Sequence, residues 1–238
     1  MSRVLLFDVD GTLISAGGAG RRAVERALAH HFGPRVSPRP VGLSGMRLDG
    51  MTDRFIVRLV MEALELPFDE AACDRVLESY VDYLEAEIHG PGYAVLPGVE
   101  ELLASLEARG AVLGLCTGNV ARGAHIKLRR GGLDRFFGFG EEDVNGFAHD
   151  GEARERIVEA ALRRASARLG RPLAASEALV IGDTPRDVAA ARALGVPVLA
   201  VATGRFSEDE LARSGADRVL PSLAGPGVAD LLLGPGSP

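Results

Sequence analysis

The chain has 238 residues, 47% of them hydrophobic and 25% charged, with a net charge of −6 at pH 7. That is enough apolar material to bury a core in one large α/β domain, or in one domain carrying a sizeable insertion. The negative balance excludes a basic field for nucleic acid or anionic membranes, and no apolar stretch approaches the length of a membrane span.

The first strand is expected over Val4–Val9, opening on an apolar run, Val4–Phe7, that suits a buried parallel strand. Asp8 and Asp10 interrupt it too early for a secretion signal. From about Ser15 to Glu87 no strand is expected. Helical periodicity appears instead at Ala23, Leu28 and Phe32, then from Phe55 to Leu64 behind a Thr52-Asp53 cap, then at Val76, Tyr80, Tyr83 and Leu84. Gly17-Gly18-Ala19-Gly20 and Gly90-Pro91-Gly92 flank this region as flexible joints. The expectation is an all-helical insertion over residues 15–91, set into a core made of 1–14 and 92–238.

Past the insertion the pattern alternates. Val99, Leu102, Leu103 and Leu106 form a helix stripe, Ala111–Cys116 a strand, and Ile157 to Leu169 a second stripe. Ala178–Ile181 is a strand ended by Gly182, followed by a helix that stops at Leu194-Gly195. Val196–Ala202 and Arg218–Leu220 complete the set, and the tail Gly234–Pro238 is expected to be disordered. Such alternation predicts an α/β fold with a doubly wound parallel sheet, which binds ligands at the carboxyl ends of its strands. Cys73 and Cys116 lie far apart with no metal-ligand spacing around them, so both read as buried thiols of a reduced, cytoplasmic protein.

Three strand ends carry polar clusters: Asp8, Asp10, Gly11 and Thr12; Thr117, Gly118 and Asn119; Asp183, Thr184 and Asp187. Singly, each suits a turn or a helix N-cap, with Pro185 at the first helical position. Together they gather carboxylates that repel one another unless a cation neutralises them. Hydroxyls and helix-start amides beside them suit a phosphate, so the set implies a hard metal bridging carboxylates and phosphate.

Asp8-Val9-Asp10-Gly11-Thr12, Thr117-Gly118-Asn119 and Gly182-Asp183-Thr184-Pro185-Arg186-Asp187 resemble the first, second and fourth motifs of the haloacid dehalogenase superfamily. The order and coverage resemble its phosphatase branch with a helical cap, in the manner of phosphoglycolate phosphatases. The resemblance implies a Mg²⁺-dependent phosphatase acting on a small phosphate ester. Asp8 would attack phosphorus, and Asp10 would serve as general acid and base. Asp8, the Asp10 carbonyl and Asp183 would hold Mg²⁺, with Asp187 supporting it. Thr117 and the Gly118 and Asn119 amides would bind phosphate oxygens, with Gly11 and Thr12 beside them. A sugar-phosphate mutase of the same superfamily would use the same aspartate pair, and a non-catalytic phosphate-binding relative would keep the fold. A monomer or homodimer is expected.

The family's third motif, a lysine often followed by proline, is missing from Asp150-Gly151-Glu152-Ala153-Arg154-Glu155-Arg156. The charge-balancing cation is therefore expected at Arg154, ahead of Lys127 and, more distantly, Arg156. Lys127 falls about two turns into its helix, where an exposed or snorkelling side chain is the plainer expectation. Arg47, in the glycine-rich segment Gly42–Gly50, is the candidate reader of the rest of the substrate.

Overall fold

The computed structural model describes residues 3–33, 47–140 and 143–234. In chain order its elements are β1 (Val4–Phe7), β2 (Ile14–Ala16), α1 (Ala19–Phe32), α2 (Asp53–Ala63), α3 (Glu70–Glu87), β3 (Tyr93–Val95), α4 (Val99–Ala108), β4 (Val112–Leu115), α5 (Ala121–Arg130), α6 (Arg154–Leu169), β5 (Ala178–Gly182), α7 (Pro185–Ala193), β6 (Val198–Val201), α8 (Glu208–Arg213), β7 (Arg218–Leu220) and α9 (Val228–Leu233). No described helix is long and apolar enough to cross a membrane.

Five strands form a parallel sheet in the order β4-β1-β5-β6-β7. The period of two along each strand divides its side chains between two cores. Leu5 and Phe7, Leu179 and Ile181, and Leu199 and Val201 face α4 and α9, meeting Leu103, Leu106 and Leu232. Val4 and Leu6, Ala178 and Val180, and Val198 and Ala200 face α6 and α7, meeting Ile157, Val158, Val188 and Ala191. Each Leu, Ile or Val fully buried this way contributes about 1.5–3 kcal/mol, and β1, held between β4 and β5, is buried along its whole length. Its carboxyl end is therefore a rigid place to mount Asp8.

The chain enters the sheet at an interior strand, β1, and crosses in opposite directions to reach β4 and β5, which makes it doubly wound. α1, α2 and α3 bury a separate apolar cluster built on Val24, Leu28, Ile56, Val60, Tyr80, Val81 and Leu84. Ile126 of α5 also belongs to that cluster, while Ala124 and Leu128 of the same helix belong to the sheet's core. α5 thus ties the three-helix unit to the sheet.

Several details depart from the sequence reading. Residues Ser15 and Ala16 do form a strand: β2 pairs antiparallel with β3, Ile14 against Val95 and Ala16 against Tyr93. Three residues are too few to display an alternating pattern, so the ribbon left no periodic trace. Gly20 lies inside α1 rather than in the joint before it. Short helices α8 and α9 were not anticipated, although Ser207 and Glu210 make the reciprocal cap of α8. The turn Thr117–Asn119 does not cap a helix with its own side chains. α5 begins two residues later, and the Val120 amide is taken by Asp53 Oδ2 from α2, at 2.8 Å. The tail beyond Gly234 and the segment Gly42–Met46 lie outside the described residues. Both cysteines are buried and unbridged.

The ribbon brings the two glycine joints against each other. Gly17 sits at φ 57°, and a Cβ there would collide with the Pro91 carbonyl and the Gly92 backbone. Gly170, at φ 66° behind α6, has nothing within 4 Å. Gly170→Ala should cost only the left-handed backbone penalty, about 1–2 kcal/mol. Gly17→Ala adds a backbone clash and should lower Tm by roughly 5 °C more, since 1 kcal/mol is worth about 2–4 °C at this chain length. Equal melting shifts for the two variants would show that the joints are not packed as described.

Candidate active site

The site lies at the carboxyl edge of the sheet. Asp8 follows β1, its amide hydrogen-bonded to the Ile181 carbonyl at 2.8 Å, so neighbouring β5 fixes its backbone. The chain then turns tightly, with the amides of Leu13 and Ile14 both directed at the Val9 carbonyl and that of Gly11 at the Ile14 carbonyl. Gly11, at φ 83°, makes this turn possible and leaves room for Asp183, whose carboxylate any Cβ would strike. Gly204, after β6, presses its bare Cα against the same carboxylate from the other side. Thr203 Oγ1 donates to the Gly11 carbonyl at 2.6 Å and locks the two loops together.

Asp187 is held by the start of α7. Thr184 donates to Asp187 Oδ2 from its amide at 3.0 Å and from Oγ1 at 2.7 Å, while Gly182 keeps clear the space beneath it. Asp187 Oδ1 receives Arg154 Nε at 2.6 Å, and Arg154 Nη2 reaches Asp8 Oδ1 at 2.8 Å. Arg154 is the first residue of α6 and is 8% exposed; it also donates to the Cys116 carbonyl at 3.3 Å. Its charge is thus buried and paired on two sides, the one arrangement in which a buried ion is tolerable. Arg156 points away, exposed and paired with Glu159.

The electrostatics are unbalanced. Carboxylate oxygens of Asp8, Asp183 and Asp187 lie within 4.8 Å of one another. Burial pushes the Asp8 carboxyl up to about 6; Arg154 opposes this, and the neighbouring charges of Asp187 and Asp10 add to it. Burial, with Asp8 and Asp187 beside it, also raises Asp183 well above the usual carboxylate range. Three carboxylates against one guanidinium leave two negative charges uncompensated, which a hard divalent cation bound through oxygen would neutralise. The donor set, all carboxylate oxygen, fits Mg²⁺. Asp187 has both oxygens committed to protein donors and does not line the cavity, which leaves Asp8 and Asp183 as the carboxylates open to an ion.

Asp10, two residues past Asp8, meets different company. Its Oδ2 accepts from Asn119 Nδ2 at 2.9 Å and from Lys127 Nζ at 2.6 Å, and Lys127 also donates to Asn119 Oδ1 at 2.6 Å. Thr117 Oγ1 accepts from Asn119 Nδ2 at 2.7 Å. Gly118 lies under the Met51 carbonyl, where a Cβ would not fit, and its own carbonyl accepts from the Asp53 amide at 2.8 Å.

Lys127 corrects the sequence reading. Its side chain is buried and inside the site rather than exposed beside the sheet, because α5 runs past the site's edge and the three-helix unit covers it. The choice between Arg154 and Lys127 dissolves: Arg154 serves the Asp8 side and Lys127 the Asp10 side. Lys127's position, seventh in α5 between Ile126 and Leu128, carried no sequence signal for this beyond its being the chain's single lysine.

These groups floor a cavity of about 900 Å³, lined above by Gly20, Asp53, Ile56 and Tyr80 and, at its mouth, by Arg47, Asp49 and Arg205. Gly11, Thr117, Gly118 and Asn119 line it as expected from the sequence. Thr12 does not: it is buried, with Oγ1 3.4 Å from Asp183 Oδ1. Arg47 is exposed at the rim. Thr203, Gly204, Asp53 and Tyr80 were not anticipated. Thr203-Gly204 ends β6 as the other clusters end their strands, which was a legible signal; Asp53 and Tyr80 are brought in only by tertiary packing.

The family model for haloacid dehalogenase-like hydrolases matches residues 3–195. A phosphoglycolate phosphatase of Rhodospirillum rubrum is 30% identical over 94% of this chain and 89% of its own length. A plasmid-borne phosphoglycolate phosphatase of Cupriavidus necator is 32% identical over 92% and 89%. Among solved structures, a hydrolase from Pseudomonas syringae superposes with a TM-score of 0.64 at 24% identity, covering 93% of this chain and 94% of that one. CbbY from Rhodobacter sphaeroides, in complex with phosphate, does so with a TM-score of 0.66 at 20% identity, covering 97% and 100%; both likenesses speak to the fold. With the matching family model covering most of the chain and full-length relatives at 30% identity or more, the chain belongs to the haloacid dehalogenase-like hydrolase family.

Proposed function

We propose that this hydrolase is a cytoplasmic, Mg²⁺-dependent phosphatase that cleaves a short phosphate monoester through a phosphate covalently carried on Asp8. The observation that carries the reading is the separation of two aspartates two residues apart into different surroundings. Asp8 is pinned by Arg154 beside two further carboxylates, while Asp10 is paired with Lys127 and Asn119 on the other side of the cavity floor. Two carboxyl groups in unlike environments suit two roles, nucleophile and acid–base. The phosphoglycolate phosphatases among the relatives support a small phosphorylated acid as substrate.

In the first step an Asp8 oxygen forms a bond to phosphorus while the ester P–O bond breaks. Asp10 gives its proton to the departing alkoxide, releasing the alcohol. In the second, Asp10 takes a proton from water as the water oxygen bonds to phosphorus. The Asp8–P bond then breaks, returning the carboxylate and releasing inorganic phosphate. Arg154 keeps Asp8 ionised and aimed, and Thr117 with the Gly118 and Asn119 amides grips the phosphoryl oxygens. Asp8, the Asp10 carbonyl and Asp183 would hold Mg²⁺, which when bound supplies positive charge to the phosphoryl oxygens. Gly11 and Gly204 serve this set by leaving the space Asp183 occupies.

The three-helix unit over residues 15–91 acts as a cap on the core made of 1–14 and 92–238. It swings about Gly17-Gly18 and Gly90–Gly92 to admit substrate and then exclude bulk water. The positive φ of Gly17, Gly18 and Gly92, at the base of the β2–β3 ribbon, supports that reading.

The purified protein should hydrolyse an aryl phosphate with Mg²⁺ and lose that activity in EDTA; full activity after rigorous metal removal would contradict the proposal. Asp8→Asn should abolish turnover with an unchanged melting transition. At limiting Mg²⁺, kcat/KM should fall as pH drops through about 6, because protonation of Asp8 removes the nucleophile. That limb should move to lower pH as Mg²⁺ rises, since cation and proton compete for the same oxygens. Arg154→Ala should cut turnover by orders of magnitude and Arg154→Lys should recover part of it. Gly204→Ala, pushing on Asp183, should weaken Mg²⁺ activation by about 10–100-fold; unaltered Mg²⁺ dependence would remove Asp183 from the ion's ligands.

A further inference from the structure

Lys127 has a donor to spare in a place where none is needed to hold the fold. The ammonium carries three N–H bonds. Asp10 and Asn119 take two of them, each at 2.6 Å, and among the described residues no third acceptor completes the set. Overhead runs α1, and at the point of approach it presents Gly20. A Cβ built there would lie 3.5 Å from Lys127 Nζ and 3.8 Å from Tyr80 Oη. Those are ordinary contact distances, so Gly20 simply sets no side chain over the ammonium, and both residues line the cavity that holds Asp8 and Asp10.

The charge in this corner is secure. Burial works against the ammonium, but Asp10, Tyr80 and Asp53 outweigh it and hold Lys127 protonated far above neutral pH. The other cations of the cavity are differently placed. Arg154 is committed to Asp8 and Asp187. Arg21 pairs with Glu25, while Arg47 and Arg205 stand exposed at the mouth, Arg205 facing Asp49.

The position fixes what the ammonium can meet. Asp10 donates to the ester oxygen of the leaving group, and Lys127 stands 2.6 Å from the Oδ2 of that same carboxylate. Ester oxygen and ammonium are therefore neighbours across one carboxyl group, and a link of a single carbon joins them. An already desolvated ammonium gains most from an anion, which forms a charge-assisted hydrogen bond to it, and little from a neutral group.

We propose that Lys127 is the specificity-determining residue for the leaving group, taking a carboxylate borne on the carbon attached to the ester oxygen, so that the site selects short phospho-oxy acids. The inference rests on the phosphatase reading above and adds to it the residue that reads the alcohol. Gly20 keeps the approach free of a side chain, Tyr80 and Asp53 wall the corner, and longer or neutral alcohols leave the third N–H unanswered.

The test compares phosphoglycolate with its uncharged isostere 2-(phosphonooxy)acetamide, and both with an aryl phosphate, on wild type, Lys127→Met and Lys127→Arg. Wild type should favour the acid over the amide in kcat/KM by on the order of a hundredfold. Lys127→Met should shrink that ratio at least tenfold, and Lys127→Arg should restore part of it. A wild type that treats acid and amide alike, or a Lys127→Met that lowers both in proportion, overturns the proposal; the second result would make Lys127 a positioning residue for Asp10. The single lysine provides a readout independent of turnover. In Asp8→Asn protein labelled with ¹³C-lysine and saturated with Mg²⁺, phosphoglycolate should shift the lone Cε resonance and the amide should not. A resonance that ignores the acid, or answers both alike, overturns the assignment. Failure of the aryl phosphate along with both esters would instead contradict the phosphatase reading, leaving the resonance to decide on Lys127.

Discussion

The structure turns on burying like charges together. Asp8, Asp183 and Asp187 occupy one small volume at the sheet edge, and all three are buried. Carboxylates so placed repel one another and are costly to desolvate, and Arg154 is what makes the arrangement tolerable. One guanidinium serves two aspartates, Nε and Nη2 to Asp187 and Nη2 to Asp8. Arginine does this where lysine would not, because its planar fork reaches two acceptors from a fixed orientation. The residual negative charge is the site's chemical potential for a divalent cation and, through it, for phosphate.

That demand explains features of the fold that hydrophobic burial alone does not. Three glycines with little in common in sequence, Gly11, Gly182 and Gly204, all yield volume to the acidic cluster. Thr184 closes the start of α7 on Asp187, and Thr203 ties the β6 loop to the Asp10–Gly11 turn. Across the cavity, the three-helix unit reaches into the site through Asp53, which caps α5 and faces Lys127. Burial pushes the Asp53 carboxyl up to about 6, with Lys127 the main opposing influence. Covering the site and completing it are thus done by the same helices.

Much of this was legible in the chain. Four of the five sheet strands, helices α1 to α3 and the three strand-end clusters follow from apolar runs, helical periodicity and turn residues, since each of these strands and helices is long enough to show its pattern; β7, at three residues, was legible only as a short apolar-ended run. What escaped was short or nonlocal. The β2–β3 ribbon has three residues per strand and no pattern to display. Lys127 lies on a helix whose apolar neighbours Ile126 and Leu128 advertise packing, and only the overlying α1 and α3 turn its position into part of the site. Arg154, by contrast, could be found by asking which cation sits where the missing third motif belongs. Gly20 reads as a hinge in sequence and in space lies within α1, setting no side chain over Lys127.

The central claim is that phosphate passes through Asp8 and does not go directly to water. Each in-line displacement inverts the configuration at phosphorus, so two in succession retain it. The most direct measurement is the stereochemical course of transfer from an isotopically chiral phosphate ester to an acceptor alcohol, or to labelled water with a thiophosphate. Net retention is the predicted result. Net inversion would mean a single displacement by water, and would leave the Asp8–Arg154 pair without its proposed role.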